Sequence, residues 1–126
     1  MIPLRLEKRL LFVSVLLEFE GKTLVCPRVM LDTGSVATVF RTEYVQQIGL
    51  EPHLTDRIRV MRGIGGIETV IEKSVDRITV GDWSMYQFPI QLGLMDYDST
   101  LDGILGLDFL LASKTVIDLN RMVLSR

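Results

Sequence analysis

The run Val29-Met30-Leu31-Asp32-Thr33-Gly34-Ser35 sets an ionisable side chain directly after an apolar stretch and just before a glycine. Thr33 and Ser35 put two hydroxyls beside it. A carboxylate carried in on a buried strand must be hydrogen-bonded or titrate away from its usual range, because burying it alone is costly. Gly34 lets backbone come close to it with no Cβ in the way. A group so placed suits proton transfer. The plain alternative is a strand-to-turn Asx motif in which Asp32 only bonds nearby amides.

Two further stretches stand out. In Leu101-Asp102-Gly103-Ile104-Leu105-Gly106-Leu107-Asp108, the triplet Ile104-Leu105-Gly106 parallels Met30-Leu31 before Asp32. Alone it reads as a strand running into a helix. Gly63-Ile64-Gly65-Gly66 lies between two β-prone arms, at 57–62 and 67–72. A turn at Gly65-Gly66 supplies the positive φ values of a tight hairpin. It would set Ile64 opposite Ile67, Val60 opposite Ile71 and Arg59 opposite Glu72. Other reactive residue types are scarce. His53 is the single histidine, in a polar loop, and reads as a surface residue. Cys26 is the single cysteine, ahead of Pro27 on a strand, and reads as buried and inert. This leaves no disulfide framework and no Cys-based or His-rich metal site. A Ser–His–Asp hydrolase would rest on His53 alone, with no nucleophile elbow.

The elements that must position these residues are mostly strands. Leu10–Phe19 and Lys22–Leu31 are Val-, Leu- and Phe-rich arms around Glu20-Gly21 and read as a hairpin, with an edge, bulge or break at Pro27. Residues 36–40 form a short strand. Residues 42–48 form a short helix, capped by Thr42 and closed by Gly49. Strands at 57–62, 67–72, 74–80 and 84–92 follow, the last two turning at Gly81-Asp82. After a polar loop at 96–100 come a strand from Ile104, a helix over 107–113 capped by Asp108, and a final hairpin over 115–124. Trp83 belongs to the core or an interface. Eight to ten short strands with one or two short helices predict an all-β barrel or sandwich.

The 126 residues suit one domain spanning 1–126. At 48% hydrophobic and 24% charged the chain is no disordered segment. A net charge of −2 gives no basic field for a nucleic acid. The longest apolar run, 10–17, is too short to span a membrane. Arg5, Lys8 and Arg9 before it mimic a leader, but Glu18-Phe19-Glu20-Gly21 follows with no small-residue cleavage site, so a strand and a cytoplasmic location are expected. The apolar excess fits a subunit interface.

Taken together and in this order, Asp32-Thr33-Gly34-Ser35, Gly63–Gly66 and Asp102-Gly103-Ile104-Leu105-Gly106-Leu107-Asp108 resemble the motifs of retropepsin-like aspartic proteases, over nearly the whole chain. The resemblance implies a closed acid-protease barrel and endopeptidase activity on a peptide or protein substrate. It implies two aspartates sharing a proton around a water, hence a homodimer, because the chain holds one Asp-Thr-Gly. It implies no cofactor, metal or covalent intermediate. Asp32 would be catalytic. Thr33 would bond across the twofold axis, Gly34 would admit substrate backbone, and the Ser35 hydroxyl would bond the outer carboxylate oxygen. Gly63, Ile64, Gly65 and Gly66 would form the tip of a closing flap, and Ile104, Leu105 and Gly106 would pack under the Asp32 loop. Asp102 and Asp108 read as structural, a turn residue and a helix cap. Acidic residues that follow the motif in retroviral enzymes are here Val36 and Ala37, and the pepsin flap tyrosine has no counterpart near Gly63–Gly66. The dimer contact is expected at terminal strand edges, in 4–6 or 115–124. The competing reading is a catalytically silent fold that binds peptides or dimerises.

Overall fold

The computed structural model describes residues 1–63 and 66–126. Among the described residues eleven strands run in chain order: β1 (Ile2–Pro3), β2 (Arg5–Glu7), β3 (Leu10–Phe19), β4 (Lys22–Leu31), β5 (Val39–Arg41), β6 (Arg57–Gly63), β7 (Gly66–Val80), β8 (Trp83–Gly93), β9 (Gly103–Leu105), β10 (Val116–Asp118) and β11 (Val123–Ser125). Two short helices, α1 (Thr42–Val45) and α2 (Leu107–Ala112), interrupt them. The fold is all-β, as the spacing of short apolar runs predicts.

The main sheet has the order β2-β3-β4-β9-β5-β8-β7-β6. It curls until β3 also pairs with β7, Leu17 opposite Ile78. Val13, Val15, Leu17, Val75, Ile78, Ile90 and Phe109 fill the space inside. A smaller sheet of order β1-β11-β10 gathers both termini, Ile2 opposite Leu124.

The β3–β4 hairpin has the expected bounds, because Glu20 and Gly21 both take positive φ, 49° and 81°, as a tight turn requires. The irregularity at Pro27 is a bulge: Val13 pairs with Val29 but Val15 with Cys26. Gly49 closes the 42–48 segment at φ 86°, although its last three residues tighten to a 3-10 turn. Thr42 caps nothing; it is the first helical residue, and its hydroxyl donates to the Gly93 carbonyl at 3.3 Å.

Other expectations need correction. The arms at 67–72 and 74–80 are one strand, β7, because the polar run Glu72-Lys73-Ser74 stays in the ladder, Lys73 opposite Ile90. Lys73 finds a partner in Asp56, 2.9 Å away, so no turn is needed to solvate it. The β6–β7 register is also shifted. Gly63 pairs with Gly66, Val60 with Thr69 and Ile58 with Ile71. The shift is by two residues, so each side chain keeps its face. This register sets Met61 opposite Glu68, and both find partners in the body of the protein. Arg59 still reaches Glu72, diagonally, at 2.9 Å. Of the expected flap-tip residues, Ile64 and Gly65 lie outside the described residues, and Gly66, expected in the turn, is the first residue of β7.

Candidate active site

Asp32 sits where the chain leaves β4 and crosses the end of β9. β9 lies between β4 and β5, parallel to the first and antiparallel to the second. The connection 32–38 must therefore loop over β9 to reach β5. That loop is fixed mainly by backbone. The Asp32 amide donates to the Leu105 carbonyl at 3.0 Å, and the Leu107 amide donates to the Ser35 carbonyl at 2.8 Å. Gly34 donates its amide to Asp32 Oδ1 at 2.9 Å, and a Cβ there would stand 3.2 Å from that oxygen. The Asp32 carboxylate is half-buried, while Thr33, Gly34 and Val36 are exposed.

Glycines make the crossing possible. A Cβ on Gly106 would fall 2.4 Å from the Ala37 carbonyl oxygen and 2.9 Å from that of Ser35. One on Gly103 would fall 2.7 Å from both the Val39 oxygen and the Phe40 ring. Ile104 and Leu105 between them are buried against both neighbouring strands.

Thr38 is the hub of the loop, and nothing in the linear sequence singles it out. It is fully buried. Its hydroxyl donates to Asp108 Oδ1 at 2.7 Å and accepts the Gly106 amide at 3.1 Å. Its amide donates to Asp108 Oδ2 at 3.0 Å, and its carbonyl accepts the Gln91 amide at 2.9 Å. Asp108 is thus no helix cap; Gly106 holds that position, and the Asp108 carboxylate ties α2 to the loop. Asp102 also does more than turn the chain. Its carboxylate accepts the Arg28 amide at 2.9 Å and its own amide donates to the Arg28 carbonyl at 2.9 Å, which satisfies the backbone next to the Pro27 bulge. Ser35 departs from expectation: its hydroxyl donates to the Ala37 carbonyl at 2.8 Å, a local bond typical of serine in turns, and not to Asp32.

The β6–β7 hairpin faces this loop across a cleft bordered by Val36 and Ala37 on one side and Val60 and Met61 on the other. Inside the hairpin, Glu68 accepts the Met95 amide at 3.0 Å. Met61 joins Met30, Phe12, Val39, Met95, Leu101 and Ile104 in a second apolar cluster. Arg41 holds the 94–101 segment by donating to the carbonyls of Leu94, Met95, Asp98 and Leu101. Burial, then the Glu68 carboxylate and to a lesser extent Asp32, push the phenol of Tyr97 up. Elsewhere Cys26 is buried, and its thiol is pushed up to about 12, chiefly by burial. His53 is exposed and meets Lys73 Nζ at 3.1 Å. Trp83 is buried under the Arg126 guanidinium, 4.8 Å from its ring centre.

Residues 15–109 match the aspartyl protease family, and the chain belongs to that family. Its fold is retropepsin-like: it superposes on the crystal structure of a retropepsin-like aspartic protease from Rickettsia conorii with a TM-score of 0.68, covering 99% of this chain and 97% of that one at 16% identity. No curated protein matches the sequence.

Proposed function

We propose that this chain is an aspartic endopeptidase whose catalytic unit is a homodimer, with Asp32 contributed by each protomer. The observation that carries the reading is the setting of Asp32: a half-buried carboxylate, held by a glycine amide and a buried backbone frame, on a loop whose Val36 and Ala37 border an open cleft. One Asp-Thr-Gly per chain requires a second copy to complete a pair. Two carboxylates about 4 Å apart repel by about 4 kcal/mol at an effective dielectric of about 20, enough to keep one proton shared between them. The ionised carboxylate then takes a proton from the water as it attacks the scissile carbonyl. The protonated one donates to the carbonyl oxygen, and the pair later protonates the leaving amine. The β6–β7 hairpin closes over the substrate and excludes water. Thr33, exposed on the loop, is free to meet its counterpart across the twofold axis. The β1-β11-β10 sheet, with exposed Val116 on its outer strand, offers the second copy an unpaired edge.

Cleavage of an unbiased peptide library between acidic and neutral pH tests this. The wild type is expected to cut, and Asp32→Asn, nearly isosteric, to lose at least about 10³-fold in rate while keeping its fold. Asp32→Asn cutting within a few-fold of wild type would remove Asp32 from the mechanism. A folded dimer that cuts nothing is the outcome expected of a silent peptide-binding module.

A further inference from the structure

The cleft between the Asp32 loop and β6 has a volume of about 600 Å³. Val36, Ile58 and Val60 give it apolar lining, while Arg59, Glu72 and Gln91 form one bonded polar group. Gln91 is 5% exposed. Its Nε2 donates to Glu72 Oε1 at 3.1 Å. A carboxylate only accepts, so this contact fixes the nitrogen of the amide and identifies the other end as the oxygen. That oxygen is buried and has no hydrogen-bond partner among the described residues. A buried acceptor left unmade is costly, so a donor supplied from the cleft gains what the free protein lacks. Arg59 commits Nε to Glu72 at 2.9 Å, and a guanidinium carries four more N–H groups.

We infer that this cleft selects a substrate side chain ending in a carboxamide, glutamine or asparagine, an inference that rests on the protease reading above. The carboxamide N–H meets Gln91 Oε1 and its oxygen accepts from Arg59, while the aliphatic stem lies against Val36 and Val60. A lysine or arginine could donate to Gln91 but would meet the Arg59 guanidinium on the cleft wall, where Glu72 and Asp108 are already engaged by Arg59 and Thr38. A carboxylate could accept from Arg59 but has nothing to give Gln91. A leucine fills the volume and leaves the Gln91 oxygen unpaired. A site built to hydrogen-bond a polar group discriminates strongly against analogues that lack it.

The test is a peptide library varied at each position around the cut site and read as relative kcat/KM. At one position, glutamine and asparagine are expected to exceed leucine, glutamate and lysine by roughly tenfold or more. Gln91→Met, similar in length but without polar atoms, is expected to erase that ratio, and Arg59→Met on the exposed rim to reduce it. Each ratio is read within a single preparation, so partial folding of a variant cancels, and Arg59→Met carries the test if Gln91→Met does not fold. Cleavage with no carboxamide preference, or with one that survives both substitutions, overturns this inference and leaves the protease reading standing. No cleavage of any peptide by the wild type overturns both.

Discussion

The loop that carries Asp32 and the β6–β7 hairpin border the same cleft but are held in opposite ways. The loop is locked by backbone hydrogen bonds to β9, by Thr38 buried between Asp108 and Gly106, and by glycines whose neighbours leave no room for a Cβ. The hairpin is held by its own ladder, by ion pairs at its base, by Met61 in the second apolar cluster and, among the described residues, by the Glu68–Met95 and Glu72–Gln91 side-chain bonds to the body. It leaves Ile58, Val60 and Ile67 exposed. Buried backbone bonds and close contacts fix a geometry; partly exposed side-chain pairs are individually weak and can give way. The first suits a side chain that must be aimed, the second a cover that must move.

Substitutions can break this contrast from either side. Gly106→Val should do the most damage, because the new side chain meets the fixed Ala37 and Ser35 carbonyls. About 3 kcal/mol of stability should be lost, with activity falling alongside, as measured by denaturant unfolding and peptide cleavage. Thr38→Val keeps the shape but leaves the Gly106 amide without its acceptor and Asp108 without its hydroxyl donor. It should cost about 1–3 kcal/mol, again with activity lost in parallel. Gly66→Val strikes the hairpin, where φ is +121° and a β-branched residue is strained. Here activity should fall several-fold while the melting temperature moves little. Equal losses in both would show that the hairpin is as integral to the fold as the loop. The same substitution at Gly65 addresses the tip outside the described residues.

The smallest effect belongs to Asp56, just before β6. Its carboxyl is held below the usual range, first by the hydrogen bond with Lys73 and further by the His53 amide. A carboxylate whose folded value is depressed adds stability above its unfolded value and loses it as the pH falls through the folded one. Asp56→Asn should therefore melt slightly below wild type at neutral pH, and the gap should close in acid. A gap that widened in acid would contradict the pairing at the base of the hairpin.

The same contrast marks what the sequence could reveal. The β3–β4 hairpin and the Asp32 motif are legible because their signals are local: a turn with Gly21 between Val-, Leu- and Phe-rich arms, and an aspartate shortly before a glycine. Thr38 is illegible because its role is made by Asp108, Gly106 and Gln91, brought together only by the crossing of β9 between β4 and β5. The turn at Lys8-Arg9, with φ of 49° and 67°, pairs β2 with β3 yet carries none of the residues that usually signal positive φ. The β6–β7 register is not legible because three nearby glycines allow more than one pairing, and the choice is made by what Met61 and Glu68 meet on the body.

The central claim is that two copies of Asp32, one per protomer, make one catalytic centre. The most direct measurement is specific activity over a dilution series, with sedimentation on the same samples. Activity per chain should fall as the dimer dissociates, with the same midpoint in both measurements. Full turnover by a strict monomer, unchanged on dilution, would contradict it.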